Sequence, residues 1–226
     1  MRVLLVSDLH ANPFALDVLP AADIVLCAGD LVDYGPDPRA VIAWCRTNVN
    51  AIVQGNHDVA LAFAEEDGVA PAMREASAAT RLIHRALLDE GETDYLRSLP
   101  LVATASVGAH TIALTHATAH DVRHYAPLTE AAASVRAAVP GADLVVVGHT
   151  HRQEIVELDG FVAVNPGSVG MSTAGGMAQY ALWEDGRLTL HGTPYDLAAM
   201  LAALSALSLP AAVRATLEDA FRNGRR

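Results

Sequence analysis

The sequence predicts an α/β protein in which two β-sheets pack together with helices outside. Its first 60 residues alternate short, continuously apolar runs with helical stretches, and its second half turns to strand runs, two pairs of them joined by Asp-Gly. Continuous apolar runs fit parallel strands buried on both faces, and Asp-Gly between strand runs fits tight hairpins.

The elements follow in order. Residues 2–6 and 24–27 read as buried strands, with a helix over 14–19 between them. A second helix starts with Asp37 as N-cap and Pro38 at its first position and runs through Trp44. A third strand over 51–53 completes βαβαβ, which implies a parallel sheet with right-handed crossovers. Residues 71–88 have helical spacing, and Gly91 is expected to stop that helix. Strand runs then fall at 101–107, 111–114, 144–147, 154–158, 161–164, 178–183 and 187–191, with turns at Asp159-Gly160 and Asp185-Gly186. Apolar helices occupy 196–221, and packing on the sheet and forming a dimer face, hence a homo-oligomer, are both open to them.

Composition narrows the function. A chain of 226 residues that is 52% hydrophobic is not disordered, and it is read as one domain over 1–226. The formal charge of −11, with a basic cluster only at Arg222, Arg225 and Arg226, argues against a nucleic-acid polymer as partner. Cys27 and Cys45 make neither a disulfide framework nor a CxxC pair, which fits a reducing cytoplasm. The apolar run after Met1 ends at Ser7-Asp8, too short for a secretory h-region, and 197–213 falls short of the ~20 apolar residues that span a bilayer. Neither export nor a membrane association is expected.

Five segments place metal-ligand residue types directly after apolar strand runs: Asp8-Leu9-His10, Gly29-Asp30, Gly55-Asn56-His57-Asp58, Thr115-His116 and Gly148-His149-Thr150-His151. The carboxyl ends of strands in an α/β sheet converge on one edge, so separate segments can share one crevice. In an extended segment residues i and i+2 project to the same side, so Asp8 with His10, and His149 with His151, are expected to aim pairs of ligands at one locus. Glycines 29, 55 and 148 remove bulk beside Asp30, Asn56 and His149. Taken singly, a D-x-H is more often a capping turn and an Asp or Asn after a strand an Asx-turn. Five together in one βα context point to a metal centre.

The other histidines read as structural or surface residues: His84 in mid-helix, His110 and His191 in strands. His116, His120 and His124 mimic the spacing of a zinc-binding helix, but Pro127 and the polar run 118–124 indicate a loop, so His116 alone is retained. His120, Arg123, His124 and Tyr125 are weak candidates for substrate contact.

The ordered set D-x-H, G-D, G-N-H-D, T-H and G-H-T-H resembles the calcineurin-like metallophosphoesterase superfamily, in particular its small bacterial and archaeal phosphodiesterase branch. Asn165-Pro166-Gly167-Ser168 adds a sixth matching segment, and the resemblance runs from Asp8 to about Gly170. It implies a four-layer αββα sandwich of two mixed β-sheets flanked by helices, α/β in some classifications and α+β in others. It also implies two divalent transition-metal ions, with manganese first among Mn, Fe, Zn, Ni and Co. Carried over by motif, Asp8, His10, Asp30 and His151 would hold the first ion, and Asp30, Asn56, His116 and His149 the second. A hydroxide between the ions would attack phosphorus, and His57 would be the general acid for the leaving oxygen. Asp33 matches the position that orients this histidine, with Asp58 the alternative; on its own, Asp33 could equally cap the Tyr34-Gly35-Pro36 turn.

The pattern departs from its relatives at two places. Tyr34 stands where Ser/Thr phosphatases and diadenosine tetraphosphatases have an arginine, which weakens phosphoprotein and dinucleoside polyphosphate substrates. An uncharged and flexible loop, 169–176, follows Ser168 where an arginine is common. The expected function is therefore a phosphodiesterase on a small nucleotide-like phosphoester, with phosphomonoesterase or protein phosphatase activity as alternatives. A non-catalytic scaffold, as in the retromer subunit of this fold, predicts loss of the histidine or the ligands, and none is lost here. A DNA nuclease is disfavoured by length and charge.

Overall fold

The computed structural model describes residues 1–224. Sheet I has the strand order β10-β9-β1-β2-β3, formed by β1 (Arg2–Val6), β2 (Ile24–Cys27), β3 (Ala51–Ile52), β9 (Met177–Glu184) and β10 (Arg187–Pro194). Sheet II has the order β4-β5-β6-β8-β7, formed by β4 (Val102–Val107), β5 (His110–Thr115), β6 (Leu144–Val147), β7 (Glu154–Leu158) and β8 (Phe161–Asn165). Each sheet contains three parallel strands, β1-β2-β3 and β5-β6-β8, flanked by antiparallel ones.

Side-chain alternation builds the layers. Val3 and Leu5 of β1, with Leu26, face Ile112, Leu114, Val146 and Val164 of sheet II in the core between the sheets. The intervening Leu4 and Val6 face outward with Val25 and Cys27, under α1 (Pro13–Leu16), α2 (Pro38–Asn48), α7 (Leu197–Ser205) and α8 (Ala211–Asn223). On the far side Ala113, Val145 and Ala163 pack against Leu128, Ala132 and Val135 of α6 (Leu128–Ala138). The result is two mixed sheets between helices, as expected. The apolar C-terminal helices pack on sheet I, where Met200, Leu204, Leu217 and Phe221 are buried. No helix among the described residues is long and apolar enough to cross a membrane.

Four local expectations differ from the structure. The helix read over 14–19 is a single turn, capped by Asn12 at Ala15 N–H. Gly91 stops nothing: α4 (Arg74–Leu87), entered from a 3-10 turn at Pro71–Met73, ends at Leu88, and Gly91 lies in the first turn of α5 (Glu90–Ser98). Asp89 caps that helix, and Glu92 returns the bond to Asp89 N–H, a reciprocal cap that tolerates a glycine inside it. Helices α3 (Asn56–Phe63) and α6 lie where no helix was expected. The loop after Ser168 is packed at its start rather than flexible, because Val169 and Met171 are buried and Val169 and Gly170 N–H donate to Ser7 and Asp8 carbonyls.

Candidate metal centre

The two parallel triplets end at one edge of the molecule, and each delivers its motif there. From sheet I, β1 leads into Asp8 and His10, β2 into Asp30, and β3 into Asn56 at the start of α3. From sheet II, β5 leads into His116, β6 into His149 and His151, and β8 into Asn165 and Ser168. All nine of these side chains are buried.

The i, i+2 argument gave the right convergence for the wrong reason. Asp8, His10, His149 and His151 are not extended: their φ angles are 55, 43, 69 and 54°, in the left-handed region. Asp30, Asp33, Tyr34 and Ala11 share that conformation, so among the described residues eight of the ten non-glycine residues with positive φ lie in these loops. Strain confined to one place marks a functional constraint. The glycines are needed for close approach rather than for turning alone. A Cβ on Gly55 would overlap the Asp30 carboxylate, and one on Gly148 would overlap Ser7 Oγ.

The donor atoms form two groups that share Asp30. In the first, His151 Nε2 lies 3.0 Å from Asp8 Oδ1 and 3.0 Å from His10 Nε2, which is 3.9 Å from Asp30 Oδ2. In the second, His116 Nε2 lies 3.2 Å from Asp30 Oδ2 and 2.9 Å from Asn56 Oδ1, which is 3.0 Å from His149 Nδ1.

Tautomers set by the surroundings make this a candidate site for cations. The Nδ1 atoms of His10, His151 and His116 lie 3.0, 2.8 and 2.8 Å from the carbonyls of Val32, Met171 and Ala28. A carbonyl cannot donate, so each Nδ1 carries a proton, and each Nε2 of a neutral ring presents a lone pair. His10 and His151 thus point lone pairs at each other. The Asn56 amide donates to Asp67 O at 2.8 Å, which fixes its Oδ1 toward His116 and His149. Lone pairs facing lone pairs are repulsive without a cation, and a mixed N/O donor set suits divalent transition metals. Without one, a proton is the substitute. Burial opposes it, but Asp30 pushes His116 up to about 9. Asp30 in turn is held below the usual carboxylate range by His116 and His57, against its burial.

His57 lies beside this centre in the first turn of α3. Its N–H donates to Asp30 Oδ1 at 2.9 Å, and its Nδ1 lies 2.7 Å from Asp33 Oδ2. Nε2 is left toward the centre, 4.0 Å from Asp30 Oδ2. Burial works against the imidazolium, yet Asp30 and Asp33 raise its pKa above the ordinary histidine value. Asp33, rather than Asp58, is thus the partner of His57. Asp58 instead accepts the N–H groups of Gly55, Asp30 and Leu31, tying the second loop to α3. Burial and the charge of Asp30 push Asp58 up to about 7.

The sequence reading missed the network behind Asp33. Arg81 donates to Asp33 Oδ2 from Nε at 3.0 Å and Nη2 at 2.6 Å, and also bonds Asp67 and Ser77. Ser77 donates to Asp33 at 3.0 Å, and Thr80 Oγ1 accepts Tyr34 N–H at 3.0 Å. His84 Nδ1 accepts Asp33 N–H at 3.1 Å, and its Nε2 donates to Gly35 O at 3.0 Å. The signal was present, since 77, 80, 81 and 84 fall on one helix face. Asp33, His57 and Asp67 form another compact group of metal-ligand types. Its cation is already supplied by Arg81, so it is an ion-pair network.

Of the remaining candidates, Tyr125 reaches the centre, with its ring centroid 3.9 Å from that of His149. The other three do not. Arg123 binds Glu65 and the Glu66 carbonyl, His124 faces Glu130, and His120 lines a separate surface hollow with Gln54 and Val59. Tyr34, in the place of an arginine, sets its ring edgewise against His10 and His57 at 4.9 and 4.8 Å. Asn165 Nδ2 donates to Gly148 O at 2.6 Å, and Ser168 Oγ to Asp8 O at 2.7 Å, so the sixth segment braces the loops after β1 and β6.

The calcineurin-like phosphoesterase superfamily domain matches residues 1–185. The chain belongs to this superfamily. Among solved structures, the metallophosphoesterase from Sphaerobacter thermophilus is 29% identical, with a TM-score of 0.71, over 96% of this chain and 98% of that one. Hypothetical protein PH1004 from Pyrococcus horikoshii OT3 gives a TM-score of 0.78 at 18% identity, over 100% of this chain and 99% of that one. Wild-type Vps29 from Entamoeba histolytica, complexed with Zn2+, gives 0.50 at 19% identity, over 87% of this chain and 100% of that one. The last two are likenesses of fold. No curated protein matches the chain. Superfamily membership makes the converging loops candidate metal-binding segments of a phosphoester hydrolase.

Proposed function

We propose that the protein is a dinuclear-metal-dependent hydrolase of phosphoesters, a phosphodiesterase on small nucleotide-like substrates. Asp8, His10, Asp30 and His151 would hold one divalent ion, and Asp30, Asn56, His116 and His149 the other, with manganese the first metal to test. The observation that carries this reading is His57, clamped by Asp33 beside the one carboxylate common to both donor groups.

Two bound ions would supply charge neutralisation for the phosphate and a nucleophile from water at neutral pH. The protein's part is positional. Asp33 fixes His57 with Nδ1 protonated and Nε2 turned to the centre, where a protonated Nε2 can donate to a leaving oxygen. Asp30 N–H is held by Asp58, so the shared carboxylate enters from a fixed loop. The charge balance is favourable too, since +4 from two divalent ions exceeds the −2 of Asp8 and Asp30. A local excess of positive charge then receives an anionic ester on a chain whose overall charge is −11. Free, buried Cys27 and Cys45 support a cytoplasmic location.

The test is hydrolysis of bis-p-nitrophenyl phosphate and p-nitrophenyl phosphate by manganese-loaded protein, beside His57→Ala with its metal content measured. Diester turnover that falls at least ~100-fold in the variant, metal retained, supports the proposal. No turnover of either ester by a protein holding two ions would overturn it and favour the scaffold.

A further inference from the structure

A second cavity opens beside the metal centre. The pocket formed by Asp30, His57, His149 and their neighbours is about 30 Å³, room for little beyond the phosphoryl group. It shares Ala70 and Tyr125 with a cleft of about 700 Å³ lined further by Ala126, Leu128, Arg152 and Glu154. That volume is in the range of small-molecule sites. Tyr125 is therefore the partition between the two, with its ring against His149 and 52% of its surface exposed toward solvent.

We infer that this cleft binds a neutral, planar aromatic arm of the substrate, a nucleobase stacked on Tyr125, while the phosphate lies at the metal centre. The inference rests on the phosphoesterase reading and narrows its substrate class. Three features select the occupant. An exposed ring presents a flat apolar face, and every nucleobase has a complementary one. The adjoining walls, Ala126 and Leu128, are apolar. Among the described residues, the charged ones on the cleft wall are Arg152 and Glu154, of opposite sign, on a chain that is acidic overall. These two side chains leave no net positive charge between them, which suits a neutral mononucleoside arm better than a polyphosphate chain. Arg152 and Glu154 both line this cleft and bring donors and an acceptor to it, suited to a base edge.

The test is equilibrium binding by calorimetry to manganese-loaded protein, comparing adenosine 5′-phosphate with ribose 5-phosphate, for wild type, Tyr125→Phe and Tyr125→Ala. Stacking predicts that the base tightens binding about tenfold or more, that Phe preserves this ratio and that Ala removes most of it. Equal affinity of wild type for the two ligands would overturn the subsite. So would a Tyr125→Ala loss shared equally by both ligands, which marks Tyr125 as a support for His149. Catalytic failure is read separately: a base-dependent affinity without ester turnover sinks the proposed activity and leaves the subsite standing.

Discussion

Arg81 is the most exposed to test of the residues that sequence reasoning passed over. Its side chain is 11% accessible, and it is the cation held between Asp33, which is wholly buried, and Asp67. Substituting methionine keeps the aliphatic stem, so packing changes little and the loss is electrostatic. Breaking one side of a buried ion pair costs ~3 to 5 kcal/mol, because a charge remains without its partner. Here two carboxylates remain around Ser77, so the upper half of that range is expected. For a chain of this length a kcal/mol moves Tm by ~2 to 4 °C, which puts Arg81→Met ~8 to 20 °C below wild type. Urea unfolding of the metal-free proteins measures it directly. Adding Asp67→Asn to Arg81→Met removes one of the two stranded charges and should recover ~1 kcal/mol or more. A Tm within about 2 °C of wild type, or a double variant that is merely additive, would refute the claim that Arg81 neutralises Asp33.

Three further outcomes follow from the same geometry. Gly148→Ala drives a methyl into Ser7 and the Asp8 carboxylate, so it should lower bound metal per chain, measured by elemental analysis, well before it lowers helix content by circular dichroism. Manganese at ~100 times its Kd should stabilise the fold by about 2.7 kcal/mol, and chelation should reverse this; an unchanged Tm would deny that the folded state holds the ion. His84 is buried with Nδ1 accepting Asp33 N–H, and burial lowers its pKa, so the neutral form belongs to the folded state. A depressed histidine contributes stability above its unfolded pKa of ~6.5 that is lost as pH falls below it, at up to ~1.4 kcal/mol per pH unit. The urea midpoint of His84→Gln should therefore fall less steeply than wild type from pH 7 to 5, and parallel slopes would count against it.

The parts of the fold that were legible are those in which one physical rule decides. Strand β1 after Arg2, and strands β2 and β6, are apolar without interruption because both faces are covered, and Asp37-Pro38 starts a helix because its side chain and ring suit no other place so well. Helix α3 was hidden because the motif Gly55-Asn56-His57-Asp58 reads as a turn; its N-terminal cap is the Gly55 backbone tied to Asp58, and its first residues carry chemistry instead of helix propensity. Helix α6 was hidden by alanines, whose propensity gives little periodic signal. That the candidate donors gather at one edge could be read because each follows a strand, but their local conformation could not. Asp8, Asp30 and His149 are left-handed, a region that Asp and His enter more readily than most L-residues but still rarely, and the tertiary bonds around them hold that state.

Those bonds lead to a last expectation. Eight left-handed non-glycine residues, six of them Asp or His that enter this region more readily than most, represent strain that is a large part of the stability of a domain. Against it stand the bonds of Asp58 to the 30–31 backbone, of Ser168 to Asp8, of Asn165 to Gly148 and of Asn12 to Gly170. The donor atoms themselves add repulsion where neither a cation nor a proton lies between them, since Nε2 of His10 and of His151 are 3.0 Å apart. Removal of metal should therefore loosen these loops before it loosens the sheets. Hydrogen exchange of the metal-free protein should speed up at residues 8–12, 29–35 and 148–151, and exchange at β1, β2, β5 and β6 should stay slow. Asp58→Asn weakens acceptance from Asp30 and Leu31 N–H and should reproduce the faster exchange at 29–35 even with manganese present. Uniform acceleration across sheets and loops alike would mean that the cations stabilise the fold globally, and that the strained loops are held by the protein's own hydrogen bonds.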